Sequence, residues 1–213
     1  MQNFENLSLE FENALLAVDR SAARDVLLKG QKDFSVAQLA EHVISKAFER
    51  IGKAWDDGDI ALSQVYVSGR IAEEVVGEIS PPSEKLYVDQ PIIALALLDD
   101  YHMLGKRMVS TILQASGFVV LDFGRVEADE LVARVKAENV QILLISTLML
   151  RAALQVKKTC DLLKSASPHT KVIVGGAPFR FDPELWREVG ADAMGYNAAD
   201  AVHLITDMME DLS

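Results

Sequence analysis

Apolar positions at Leu7, Phe11, Leu15 and Leu16 recur at helical spacing. A second short helix follows from Ser21, through Val26, Leu27 and Leu28, to Gly30. Ser35 is a good N-cap for a longer helix through Leu39, Val43, Ala47 and Ile51, with Gln38 at the capping-box position. Trp55-Asp-Asp-Gly-Asp breaks the pattern, with Gly58 as the turn residue. A last helix from Leu62 to Ile79 stops at Ser80-Pro81-Pro82, where proline removes donors and locks φ. Each of these helices is too short to stand alone, but four can bury one another as a small bundle over residues 1–80.

Residues 81–90 have linker composition, with Pro81, Pro82, Ser83, Glu84, Lys85 and Asp89. From 91 to 213 the pattern alternates. Apolar strands are expected at Ile92–Leu98, Phe118–Leu121, Val140–Ser146, Lys171–Val174 and Ala193–Met194. Helices are expected at 103–116, 128–138, 152–164, 183–189 and 198–209. Strands that are apolar throughout and separated by helices predict a five-stranded parallel sheet covered on both faces. The fold class is α/β, flavodoxin-like and Rossmann-type, in the order 2-1-3-4-5, preceded by an all-α four-helix cap. In that order ligands bind where strands 1 and 3 diverge, at their C-terminal ends.

With half its 213 residues hydrophobic, the chain can bury a full core. A net charge of −11 opposes a nucleic-acid partner, which would need a basic face. No apolar run approaches membrane-spanning length, and the first residues lack the pattern of a signal peptide, so a cytoplasmic, membrane-free setting is expected. Cys160 is the single cysteine and reads as a buried helix residue. Asp56, Asp57 and Asp59 lack the later glutamate of a calcium loop and read as a solvated turn and helix cap. His42 reads as a surface or boundary residue, and His169 and His203 receive no role.

Candidate chemistry gathers at the strand ends. Strand 1 is followed by Asp99-Asp100-Tyr101-His102-Met103-Leu104-Gly105, strand 3 ends in Ser146-Thr147-Leu148, and strand 4 ends in Gly175-Gly176. An imidazole offers a neutral nitrogen to a metal. A carboxylate two residues earlier can accept the other ring N–H and fix the tautomer. Ser146 can extend that relay, and paired glycines admit a ligand close to the backbone. A dinucleotide site would want Gly-x-Gly-x-x-Gly after strand 1, which is absent. A phospho-receiver would want an aspartate where Ser146 stands and a lysine near Gly195-Tyr196.

Asp100-x-His102-x-x-Gly105, Ser146-x-Leu148 and Gly175-Gly176, with matching gaps, resemble the cobalamin-binding signature of methionine synthase and of the corrinoid proteins of methyltransferase systems. Supporting features are Lys106 entering the helix, Asp122-x-Gly124 after strand 2, Gly175-Gly-Ala-Pro178 and Gly190-Ala-Asp192. Ile51-Gly52, Trp55 and Gly58 are similar to the four-helix cap of the same proteins. Asn197, where the family often has aspartate, and the bulky Phe179-Arg-Phe181 depart from the pattern.

The resemblance implies cobalamin, a cobalt corrinoid, bound with its own base displaced and His102 as the lower cobalt ligand. Asp100 and Ser146 would be relay partners of His102. The nucleotide tail would run beside Gly105, Ser146, Gly175 and Gly176, with Leu148 completing the motif, and the helical cap would screen the reactive face. The implied function is a non-catalytic carrier that cycles between cob(I)alamin and methylcobalamin. Its partners would be a substrate methyltransferase, an acceptor methyltransferase using tetrahydrofolate or a thiol, and a reductive activase. A light or redox sensor acting on a partner protein is the alternative. A carbon-skeleton mutase would normally add a large barrel to this module.

Overall fold

A computed structural model describes residues 3–79 and 90–212. The expected linker therefore lies, apart from Gln90, outside the described residues, as does the Ser-Pro-Pro stop. The chain divides into two compact units, one holding the N-terminal helices together with Thr111–Phe118 and one holding the remainder. No helix among the described residues is long and apolar enough to cross a membrane.

The first unit is helical. Its helices are α1 (Phe4–Leu16), α2 (Arg20–Gly30), α3 (Val36–Leu39), α4 (Ser45–Asp56) and α5 (Leu62–Ile79), with a π-turn over Ala40–Ile44 joining α3 to α4. The caps are written in the sequence. Asn3 Oδ1 accepts from Glu5 N–H, and Asp19 Oδ1 accepts from Ala22 N–H. The Ser35–Gln38 capping box is formed in both directions. The aspartate turn is solvated at Asp57 and Asp59, with Gly58 at φ +82, as expected. Capping there works differently from the expectation: the Ala61 N–H before α5 donates to the Gln64 side chain. Leu7, Phe11, Leu15, Leu27, Leu39, Ile51, Val65 and Val75 make the core.

The π-turn is a departure from the single helix that the spacing predicts over Ser35–Ile51. Widening the turn by one residue disturbs the i→i+4 ladder. Side chains take up the disturbed carbonyls: Ser45 Oγ donates to Ala40 O at 2.8 Å, and Ser8 Oγ of α1 donates to Val43 O at 2.9 Å. Arg50 then donates to Ser8 Oγ at 2.7 Å and ion-pairs with Glu12. His42 stands in this turn, partly exposed, with its ring 4.6 Å from that of Phe4.

The second unit is a five-stranded parallel sheet in the order β2-β1-β3-β4-β5, as the alternation predicts. The strands are β1 (Ile93–Leu98), β2 (Val120–Val126), β3 (Ile142–Ser146), β4 (Lys171–Gly175) and β5 (Ala193–Gly195). The helices are α6 (Met103–Ala115), of which only the part before Thr111 belongs to this unit, α7 (Ala128–Ala137), α8 (Leu150–Ala166), α9 (Ala177–Phe181), α10 (Leu185–Glu188) and α11 (Asp200–Leu212). Every residue of β1 is buried. One face of the sheet, through Ala94, Ala96, Leu98, Leu143, Ile145, Val172 and Val174, packs into a cluster with Leu131, Val135, Ala153, Val156 and Cys160. Burial, chiefly, pushes the Cys160 thiol up to about 11, which fits a packing role.

Two differences have local causes. β2 runs to Val126, well past the expected Leu121, because it is an edge strand whose polar Asp122 and Arg125 sit at exposed positions and end the apolar signal early. A register shift falls within it: Leu95 pairs with Asp122 and Ala96 with Gly124, leaving Phe123 as the extra residue. The short helix α9 was not expected, since Gly-Gly-Ala-Pro reads as a turn. Proline in the first turn of a helix loses nothing, because its missing N–H would have no partner there.

Removing the hydroxyl in Ser8→Ala leaves the Val43 carbonyl and one Arg50 N–H without this partner inside the bundle. The expected loss is about 1–3 kcal/mol of unfolding free energy, measured by urea denaturation.

Candidate functional site

The site begins with register. Leu97 of β1 pairs with Ser146 of β3, and Ser146 pairs with Gly175 of β4. The three motif segments therefore leave the sheet side by side. Asp99 opens the β1–α6 loop with φ +46, an αL conformation that aspartate tolerates better than most residues, and its N–H donates to Val126 O.

Asp100 is 1 % exposed and collects five donors. Its Oδ1 accepts from the N–H groups of Tyr101 (2.7 Å) and His102 (3.1 Å) and lies 2.6 Å from His102 Nδ1. Its Oδ2 accepts from the N–H groups of Leu148 (2.7 Å) and Met149 (2.9 Å), across the gap to the β3–α8 loop. Burial alone would push this carboxyl up. The Met149 N–H, the His102 ring and the N–H groups of Leu148 and His102 together outweigh it and hold Asp100 well below the usual carboxylate range. Ionised Asp100 accepts a hydrogen bond from Nδ1–H, which leaves Nε2, on a half-exposed ring, as the nitrogen available to a metal.

The other expected residues fall around this pair. Ser146 Oγ faces Gly105, where a Cβ would stand 3.3 Å from it, so the Asp100 contacts run to Leu148 and Met149 and the serine sits over the start of α6. Leu148 contributes its backbone N–H, while its side chain is partly exposed. Gly176 has φ +126, and a Cβ there would come within 1.7 Å of Thr147 O, so no other residue fits. Gly175 meets Gly195 O only at ordinary contact distance. The two departures from the family pattern are also accommodated. Asn197 Oδ1 accepts from Ala199 and Asp200 N–H while Asp200 Oδ2 accepts from Tyr196 and Asn197 N–H, a reciprocal cap on α11. Phe179 is buried in the core and Phe181 points outward, 90 % exposed.

Two residues, Met149 and Tyr101, were not singled out from the sequence, and Lys106 was named there only for its place at the start of the helix. Met149 acts through its backbone and has no side-chain signature. Tyr101 carries the Arg125 guanidinium 3.9 Å from its ring centre. Lys106 is 2 % exposed, and its Nζ lies 2.5 Å from both oxygens of Asp122. Asp122, with Gly124, lies inside β2 rather than after it. Burial acts to raise the Asp122 carboxyl, and Lys106, Gly124 N–H and Arg134 lower it to a net downward shift.

One imidazole is too small a donor set for a bare metal ion, which takes about four protein ligands in a closed site. Among the described residues no group of three or more histidine, cysteine, aspartate or glutamate side chains is placed to hold one. A metal at His102 would have to bring its remaining donors with it.

Comparison with known proteins supplies the family. The B12 binding domain model matches residues 91–205, more than half of the chain, and a second B12 binding domain model matches residues 9–79. The chain belongs to the B12 binding domain family. It is similar to dimethylamine corrinoid protein 1 of Methanosarcina mazei, 29 % identical with 95 % of each chain covered. It is also similar to monomethylamine corrinoid protein 2 of Methanosarcina barkeri, 31 % identical over 78 % of this chain and 80 % of that one. The fold matches the solved Methanosarcina barkeri monomethylamine corrinoid protein with a TM-score of 0.74 at 23 % identity, covering 97 % of this chain and all of that one.

Cobalamin is thus the cofactor of this B12-binding chain. The residues at the strand ends fit such a group. A corrin would bring its own nitrogen donors, so one oriented imidazole would be enough, and Leu148 and Met149 in the β3–α8 loop, with Met103 and Leu150 at the starts of α6 and α8, would offer exposed apolar surface to its macrocycle.

Two measurements check this geometry. Gly176→Ala must shift the backbone of Thr147 and adopt an unfavourable φ, so a loss above about 3 kcal/mol is expected in urea unfolding. The Asp100 carboxyl is lowered on folding, so its ionised form stabilises the fold above the ordinary value of 3.8. That contribution falls away as pH drops below this value toward the folded one. In Asp100→Asn the corresponding part of the acid limb of the stability–pH curve should vanish.

Proposed function

We propose that this protein is a methyl-carrying corrinoid subunit in which His102 is the lower axial ligand of the cobalt. The observation that carries the reading is the Asp100–His102 pair. A buried carboxylate with five donors orients the ring through Nδ1 and leaves Nε2 for the metal. Gly105, Ser146, Gly175 and Gly176 would line the path of the displaced nucleotide tail, beside Leu148. The small residues there keep side-chain bulk away from the backbone, and Ser146 offers a hydroxyl.

Bound cobalamin supplies a cobalt centre that takes a methyl group from one partner and yields it to another. The chain's own residues set ligation and access. Asp100 keeps the imidazole in one tautomer, and the Leu148 and Met149 N–H groups hold Asp100 ionised. The ring is therefore oriented through Nδ1, with Nε2 left toward the metal. The partners in this reading are a substrate methyltransferase, an acceptor methyltransferase using tetrahydrofolate or a thiol, and a reductive activase. Methylated amines are the first donors to try, because two curated relatives carry dimethylamine and monomethylamine in their names.

Reconstitution with hydroxocobalamin followed by desalting should leave a red protein. His102→Ala should shift its absorption spectrum to that of cobalamin without a protein ligand. Asp100→Asn should weaken cobalamin retention by about 10–100-fold, as loss of a ligand's orienting partner does. Retention with an identical spectrum in His102→Ala would sink the assignment.

A further inference from the structure

We propose that the ion pair between buried Lys106 and partly exposed Asp122 is a positioning device that sets where His102 stands on the sheet edge. This proposal rests on the reading of His102 as the cobalt ligand. Lys106 directly follows Gly105 in the first turn of α6 and is among the largest fully buried side chains. Its ammonium meets both carboxylate oxygens of Asp122 at 2.5 Å. Asp122 is itself held, since its Oδ1 accepts from Gly124 N–H at 2.7 Å and Gly124 sits at φ +66 beside the register shift in β2. A bulge re-aims a side chain at a sheet edge, and here it lies beside the carboxylate that meets α6.

The arrangement makes poor sense as a stabiliser. Desolvating an ammonium costs several kcal/mol, and an apolar side chain of similar shape often serves stability as well or better. What an apolar contact cannot do is define a point. It lets the helix start slide along β2, whereas an ammonium seated between two oxygens does not. The loop carrying His102 then has one fixed end on each side of β1. Asp100 ties it to the β3–α8 loop, and Lys106 ties it to β2. His102 hangs between these anchors, and Gly105, against Ser146, lets α6 start close to β3. Ligand placement within about 0.5 Å is the tolerance that functional geometry demands.

The test uses the full chain carrying Lys106→Met, with Asp122→Asn as a second variant. Each is loaded with hydroxocobalamin and reduced to the Co(II) state. With the protein histidines labelled with 15N, electron paramagnetic resonance reads the doublet nitrogen splitting of a protein imidazole apart from the triplet of cobalamin's own base, equilibrium titration reads cobalamin affinity, and circular dichroism follows melting of the apo protein. The expected result for Lys106→Met is an apo melting curve close to wild type, with the imidazole-coordinated fraction down several-fold and cobalamin binding roughly tenfold weaker. Unchanged coordination and affinity in a folded Lys106→Met protein, or effects confined to melting temperature, would overturn the proposal. If Lys106→Met does not fold, Asp122→Asn decides. It keeps an acceptor at a partly exposed position, so reduced coordination supports the proposal and unchanged coordination overturns it. His102→Ala separates the two layers. If the nitrogen splitting survives that substitution, the ligand reading has failed and this proposal falls with it. If the splitting disappears in His102→Ala but persists in both pair variants, only the positioning role is lost.

Discussion

A carboxylate taken out of water has to be surrounded by donors, and the sheet edge of this protein is arranged around meeting that requirement for Asp100. Its five donors come from two loops that leave adjacent parallel strands. The order β2-β1-β3 is therefore a condition of the site as well as a description of the fold. With another strand beside β1, the N–H groups of Leu148 and Met149 would be elsewhere and a buried ionised Asp100 would be untenable. Because four of the five donors are backbone N–H groups, the arrangement tolerates change in the side chains of Tyr101, Leu148 and Met149, and Leu148 and Met149 have theirs turned partly outward.

The same constraint bears on the proposed role of His102 toward a metal cofactor. In our reading a corrin would bring its other donors, and the chain would supply one nitrogen in a defined tautomer and position. Tautomer is set by Asp100. Position is, in our reading, set by two anchors on either side of β1, the second being the Lys106–Asp122 pair. Small residues complete the edge. Gly176 is fixed by the close approach of Thr147 O, while Gly175 meets nothing tighter than ordinary contact and leaves room beside the backbone.

Much of this was legible along the chain. Apolar runs alternating with helical stretches predicted the parallel sheet and most helices, because apolar patterning reports burial directly, and five such units fit the observed strand order. The His102, Gly105, Ser146 and Gly175-Gly176 motif was legible because each segment follows an apolar strand. Where patterning failed, burial and pattern had separated. β2 is an edge strand whose polar residues hid its length, α9 begins with a proline in a stretch that reads as a turn, and a π-turn over Ala40–Ile44 leaves no periodic trace in five residues.

The sequence by itself determined the elements, the class of sheet, the Asp100–His102 pair two residues apart, and the capping residues Asn3, Asp19 and Ser35, since all of these depend on neighbours within a turn or two. Only the tertiary structure decided which groups satisfy Asp100, that Lys106 is buried against Asp122, and that Gly176 must pass under Thr147 O. Those partners are 48, 49, 16 and 29 residues away. Their meeting follows from strand register and the bulge in β2, which local propensity does not encode.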